Sequence, residues 1–277
     1  MSVPAHLHKG KHYRHHHGVA YPISLPQRLY TSFLAPLLFI FVLISVMALY
    51  SEHARDLHQT PSILYLCSAL GATFVRLLVA YVFAVLFAIP LAFVVARSVV
   101  AERILLPIFD IVQSVPVLAF FPVVIVLFTH FGFYNGAAIF IIFLNMLWNI
   151  VFNMISGLKA IPNDIVSAAS IFNIKGLSFL LRILLPASVP SIITGSLLAW
   201  AEGWNIIVIA EVLHVYIPNG SSANDLFGIG SVLVNASSGG DTTLFISAIV
   251  TMVLAIGFLN FFLWQKLLHY AERFKFE

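Results

Sequence analysis

The chain alternates between long apolar runs and short polar interruptions, and the run lengths are informative in themselves. Leu29–Tyr50, Leu77–Ala96, Ala137–Gly157 and Thr242–Gln265 contain no Asp, Glu, Lys or Arg. Ile111–Tyr134 has none either, with His130 near its end, and Pro186–His214 is broken only by Glu202 and Glu211. A helix rises about 1.5 Å per residue, so roughly 20 apolar residues cross about 30 Å of hydrocarbon. Strands of outer-membrane barrels are about ten residues long and alternate apolar with polar. These runs do neither. The pattern predicts an all-α integral membrane protein with helices at about 29–50, 62–98, 111–134, 136–158, 186–214 and 242–270.

The interruptions divide the rest. Residues 1–28 form a polar tail, and 29–277 form the membrane domain. Ser51–Pro61 is an external loop, Arg97–Asp110 a cytoplasmic link, 159–186 a longer cytoplasmic loop and 215–241 an external segment. Within that segment Asp225–Ala236 suits a short amphipathic helix lying at the outer surface. Pro116 and Pro122 fall near the start of the 111–134 helix, and proline removes a helical hydrogen bond. The helix is therefore expected to be kinked or broken, which membranes tolerate beside protein or a water-filled cavity. Ser114 and Pro116 become candidate pathway residues.

Composition and charge sharpen the topology. Of 277 residues, 61% are hydrophobic and 9% charged, against about 25% charged in soluble domains. With the N-terminus inside, Lys9, Lys11, Arg14, Arg28, Arg97, Arg103, Lys159, Lys175, Arg182, Lys266, Arg273 and Lys275 are cytoplasmic, leaving Arg55 and Arg76 outward. The positive-inside rule favours this arrangement, with both termini cytoplasmic. Topology thus accounts for the net charge of +3, and nucleic-acid binding is not needed. A single cysteine, Cys67, precludes an internal disulfide. The first apolar run starts late and is too long for a cleavable signal, so it is expected to act as an anchor. The tail carries His6, His8, His12, His15, His16 and His17. Metal binding is one reading of such tracts; a solvated tail near anionic headgroups is preferred, because no acidic or cysteine ligand accompanies them.

Polar residues inside the runs are the candidate machinery. Asn145, Asn149 and Asn153 recur every fourth residue, so they share one face and either line a pathway or bond between helices. Gly195 and Ala199 form a small-xxx-small pair suited to close packing. Glu202 falls near mid-membrane with Asn205 on the same face, and an ionisable group at that depth is a functional candidate. Arg76 and Glu211 lie at similar outer depths and are expected to pair. No phosphate-binding GxxxxGK[ST] loop, HExxH helix or GxSxG elbow is present, so no catalytic residue, metal site or cofactor is predicted.

The loop between the fourth and fifth runs reads PNDIVSAASIFNIKGLSFLLRILLPASVP from Pro162. Pro162-Asn163-Asp164 starts a helix with an acidic first turn. Ile165, Val166, Ala168, Ala169, Ile171 and Phe172 supply an apolar surface, and Asn173 and Gly176 suit left-handed backbone. A second helix, Leu177–Leu185, leads to Pro186. Such a helix suits either a partner's groove or a lipid surface.

This loop resembles the EAA loop of ATP-binding-cassette importer permeases, E-A-A-x3-G-x9-I-x-L-P. Ala168 and Ala169 fill the alanine positions and Ile183-Leu184-Leu185-Pro186 the ending, while Ser167 replaces the Glu and Asn173 the Gly. Thr73–Arg76 resembles the family's T-x2-R, Ser114–Pro122 its proline-rich third helix, Ala210-Glu211 its A-E, and Gly228-Ile229-Gly230 its external G-hydrophobic-G. Among subgroups the chain is most similar to nitrate, sulfonate, taurine and bicarbonate permeases. The resemblance implies a six-helix type I importer fold with cytoplasmic coupling helices. It also implies a second permease copy or paralogue, a cytoplasmic ATPase pair docked on the loop, and an external solute-binding protein. Asp164, Ser167, Ala168, Ala169, Asn173, Gly176, Ile183, Leu185 and Pro186 would form the docking loop, with ATP hydrolysis on the partner. The subgroup implies a small anion as substrate. A pathway-facing Glu202 would repel one, so either Glu202 is neutral or turned away, or the solute is uncharged or cationic. The competing readings are an ion-coupled secondary transporter using Glu202 and, weakest, an intramembrane enzyme.

Overall fold

A computed structural model describes residues 63–174, 176–217, 220 and 222–274. The tail 1–28, the 29–50 helix and the 51–61 loop lie outside the described residues. Among those described, every regular element is helical. In order they are α1 (Ile63–Arg97), α2 (Val99–Ser114), α3 (Val117–His130), α4 (Tyr134–Lys159), α5 (Asn163–Ile171), α6 (Val189–Ala210), α7 (Ile229–Ser238), α8 (Thr242–Leu259) and α9 (Gln265–Ala271), with short turns between them. Four stretches are long and apolar enough to cross a membrane: α1, α4, α6 and the continuous Thr242–Phe274 helix. The bent pair α2–α3 makes a fifth if counted as one span.

Helix α4 is the centre, with α1 on one side and α6 on the other. Small residues let the three backbones approach. On α1, Ala80, Ala84, Ala88 and Ala92 recur every fourth residue and are all fully buried. On α6, Ser191 faces Gly157, Gly195 faces Asn149 and Asn153, and Gly203 faces Met146, so α4 and α6 run antiparallel along a seam of small side chains. Without a hydrophobic driving force in lipid, close van der Waals packing of this kind holds helices together. Aromatic rings fill the wider gap beyond the seam. Trp200 touches Phe74, Tyr81 and Trp264, and the Tyr81 hydroxyl donates to Ser196 Oγ at 2.8 Å. Val82, Phe83, Leu86 and Phe87 on α1 and Val253, Leu254, Phe258, Phe261 and Phe262 on the last helix remain exposed, as a lipid-facing surface requires.

Three sequence expectations are corrected here. Arg97–Asp110, expected as a link, is mostly helix: Ser98 caps α2 by accepting from the Ala101 amide at 3.2 Å, and Glu102 sits in the first turn. The helical stretch expected to start at 111 instead starts at Val99, while the break expected near its prolines falls at Val115, whose extended backbone (φ −75°, ψ 123°) is what a following proline enforces. The two halves meet at 83°. The amphipathic helix expected at Asp225–Ala236 begins after Gly228 and is largely buried.

A side chain at Gly195 would meet Asn149 O at 3.0 Å and Ile150 Cα at 3.1 Å, backbone atoms that cannot step aside. Gly195→Leu is expected to destabilise by about 1–3 kcal/mol. Gly257, whose Cβ position is open, should gain roughly 0.5–1 kcal/mol as Gly257→Ala. Thermal unfolding in detergent compares them, and equal midpoints would contradict the seam.

Candidate functional site

Three regions hold the sequence-predicted residues. At the basic end of the bundle, α4 finishes at Lys159, whose Nζ meets Glu102 Oε1 at 2.5 Å. Helix α5 follows, with Asp164 in its first turn. Its inward face carries Ala169, which is buried, and Ile165, which is half-buried; Val166, Ser167, Ala168 and Asp164 are exposed. Ile171 and Phe172 close the helix almost fully in the open, at 80% and 76% exposure. The helix ends on Asn173, at φ 54°, and the Ile174 amide returns to Ala169 O at 2.9 Å. This is the closure in which a left-handed residue lets the next amide satisfy a carbonyl of the last turn. Asparagine tolerates that conformation at modest cost.

Gly176 takes a second positive φ, 60°, and opens a helical stretch to Ala187 that contains a π-turn at Leu180–Leu184. Phe179 and Leu184 are buried, Ile183 and Leu185 half-buried, and Arg182 and Pro186 exposed. The Arg97 guanidinium lies over the rings of Phe93 and Phe179, at 5.4 and 5.3 Å, and ties this stretch to the end of α1.

In mid-bundle, Glu202 and Asn205 lie on the exposed face of α6. Asn145 Nδ2 donates to the backbone carbonyl of Glu202 at 3.0 Å, bonding α4 to α6. Asn153 Nδ2 turns back to Asn149 O within its own helix, and Ser114 Oγ likewise to Asp110 O. Pro116 is exposed at the break between α2 and α3.

At the opposite end a buried polar cluster forms around Glu211, which has no exposed surface. Arg76 Nη1 meets Glu211 Oε1 at 2.6 Å. Thr73 Oγ1 donates to the same oxygen at 2.7 Å, and the Gly230 amide donates to Oε2 at 2.8 Å. Arg76 also donates through Nε to Asn135 Oδ1 and through Nη2 to Phe227 O, both at 2.9 Å, and the Ile229 amide donates to Thr73 Oγ1 at 2.9 Å. Among the described residues, no buried side-chain polar atom lacks a partner. A Cβ on Gly228 would collide with the Glu211 carboxyl, and one on Gly230 would lie 2.8 Å from Ile207 O. Beyond it, His214 Nδ1 lies 2.8 Å from both carboxylate oxygens of Asp225. Asn135, Phe227 O, and the His214–Asp225 pair were not singled out from sequence. A lone asparagine or a backbone carbonyl carries no pattern to find it by.

Thr73, Arg76, Glu211, Gly228, Ile229 and Gly230 come from three distant stretches and meet in this one cluster. Comparison with known families agrees with what they resemble: residues 84–270 match the family described as binding-protein-dependent transport system inner membrane component. The chain belongs to this family. It is 34% identical over 162 residues to the nitrate import permease protein NrtB of Leptolyngbya laminosa, covering 58% of this chain and 57% of that protein. It is 30% identical over 133 residues to the bicarbonate transport system permease protein CmpB of Synechocystis sp., covering 48% and 46%. It is 28% identical over 144 residues to the taurine transport system permease protein TauC of Escherichia coli, covering 52% and 51%. The chain spans about half the length of these curated relatives. The all-α type I importer permease class, and the nitrate–bicarbonate–taurine subgroup expected from the motifs, both stand.

Removing one member of a buried ion pair strands the other. Arg76→Met or Glu211→Leu alone is expected to cost about 3–5 kcal/mol, and the double variant less than either single. Thermal unfolding of the four proteins in detergent decides it, and additive losses would contradict the pairing.

Proposed function

We propose that this chain is the membrane-spanning subunit of an ATP-driven, binding-protein-dependent importer, in which α5 is the knob that an ATPase partner grips. The exposure of Ile171 and Phe172 carries the reading. Charge placement assigns this end to the cytoplasm, where two large apolar side chains standing in water need an apolar groove to cover them. The six-span domain 29–277, with both termini inside, is part of the same proposal, as are the ATPase pair and an external solute-binding protein. Ser167 in place of the family's Glu moves the weight of docking onto apolar contact.

The geometry supports a lever. Helix α5 runs directly through its Asn173 closure and Gly176 into the stretch that becomes α6, and α6 is zipped to α4 along the small-residue seam. A push on α5 moves the inner ends of α4 and α6 together, while the Glu211 cluster holds their outer ends to α1 and α7. Rocking about that anchored end exchanges inward-open and outward-open states, each favoured by a different state of the ATPase.

The face bearing Glu202 and Asn205 is exposed in one chain, yet a carboxylate cannot rest against lipid. It is assigned to a passage shared with a second permease copy or paralogue. The subgroup supports a small anion as solute; the exposed Glu202 favours, as a second reading, an uncharged or cationic one.

Ile171→Asp with Phe172→Asp should leave the fold intact and weaken ATPase binding by about two to four orders of magnitude, given roughly 1.5–3 kcal/mol for each side chain buried. Co-purification of the native ATPase measures this, and full retention with full coupling would sink the docking role. Uptake of candidate anions should change with Glu202→Gln; unchanged uptake would remove Glu202 from the passage.

A further inference from the structure

A cavity of about 420 Å³ at the basic end is lined by Ile165, Arg182, Ile183, Pro186, Ala187, Arg273 and Phe274. It opens between three elements: the inward side of α5, the stretch entering α6, and the Glu272–Phe274 turn that follows α9. Two arginines therefore line one space, and among the described residues neither is in an ion pair. Among the described residues no acid lines it. Glu272 is 3.2 Å from His269 on its own helix, and Asp164, beside Ile165, is not a lining residue. The other walls are apolar, and the cytoplasmic assignment made above puts the space near the inner membrane surface.

We propose that this cavity binds the phosphate of an anionic lipid headgroup, held by Arg182 and Arg273, with the glycerol and upper chain against Ile183, Pro186 and Phe274. Guanidinium forks match phosphate oxygens two at a time, and basic pockets between helices at the inner surface suit anionic headgroups. The apolar walls favour a lipid over a free anion, which would leave them wet. Because Arg182 lies on the stretch linking α5 to α6, an occupied cavity would brace the coupling segment against the C-terminal turn. The inference rests on the cytoplasmic assignment made above and adds a lipid dependence to the coupling.

The test titrates delipidated full-length chain in neutral detergent with fluorescent phosphatidylglycerol, using phosphatidylcholine as the baseline. Arg182→Gln/Arg273→Gln is compared with Lys266→Gln, an exposed base over the Phe262 ring that does not line the cavity. The expected result is a rise in Kd of at least about tenfold for the double variant, a smaller rise for each single variant, and none for Lys266→Gln. Equal affinities in the double variant and Lys266→Gln overturn the proposal. Displacement of the lipid by millimolar inorganic phosphate, independent of acyl-chain length, overturns it in favour of a soluble-anion site. Unchanged lipid affinity with weakened ATPase retention in lipid-free detergent overturns it in favour of a partner carboxylate. Failure of the unaltered chain to hold any ATPase would defeat the proposed function, while the lipid titration would still read the cavity.

Discussion

A carboxylate with no exposed surface inside an apolar bundle is stable only if charge and hydrogen bonds surround it, and the arrangement around Glu211 follows from that demand. One guanidinium nitrogen, one hydroxyl and one backbone amide reach its two oxygens. To deliver them, α1 must present Thr73 and Arg76 from one face, and the chain after α6 must fold back so that the Gly230 amide points inward. The glycines at 228 and 230 exist because the carboxyl and the α6 backbone occupy the space a side chain would need. A buried ion pair is weak evidence for stability, but it specifies geometry well, since other registers leave a charge stranded.

The opposite end obeys a different constraint. There the chain is not closed on itself, and α5 keeps its largest side chains outside. Between the two ends, small residues bring the α4 and α6 backbones together along the seam with no soft side-chain layer between them. Asn145 adds a directional bond to that seam, and beside it the α2–α3 pair is bent by 83°.

Much of this was legible in sequence because a bilayer permits few solutions. Charge-free runs of about 20 residues mean helices, and the alanine pair with the I-x-L-P ending pointed to the family. Matching depth brought Arg76 and Glu211 into the same argument, but depth gives no bearing around a helix axis, so Asn135 and the Phe227 carbonyl stayed out of sight. Arg97, Glu102, Arg103 and Asp110 give this segment the charge density of a link, while Ser98 as a cap and the apolar spacing of Val100, Ile104, Ile108 and Ile111 are the signals of helix α2. The apolar surface of the coupling loop was visible as a set. Its division into an inward pair, Ile165 and Ala169, and an outward Ile171–Phe172 needed the backbone.

The pairing of Arg76 with Glu211 spans 135 residues, and its order of appearance during synthesis has a cost. At about 5–20 residues per second, the arginine leaves the ribosome roughly 7–27 s before its carboxylate does. Asn135, 59 positions later, arrives within about 3–12 s and offers an uncharged acceptor first. Until Glu211 follows, the guanidinium lacks its carboxylate, and a long arginine side chain near a helix end has the headgroups within reach. The cluster can therefore close only once Gly230 has been made, with α1 synthesised long before the partners that complete it.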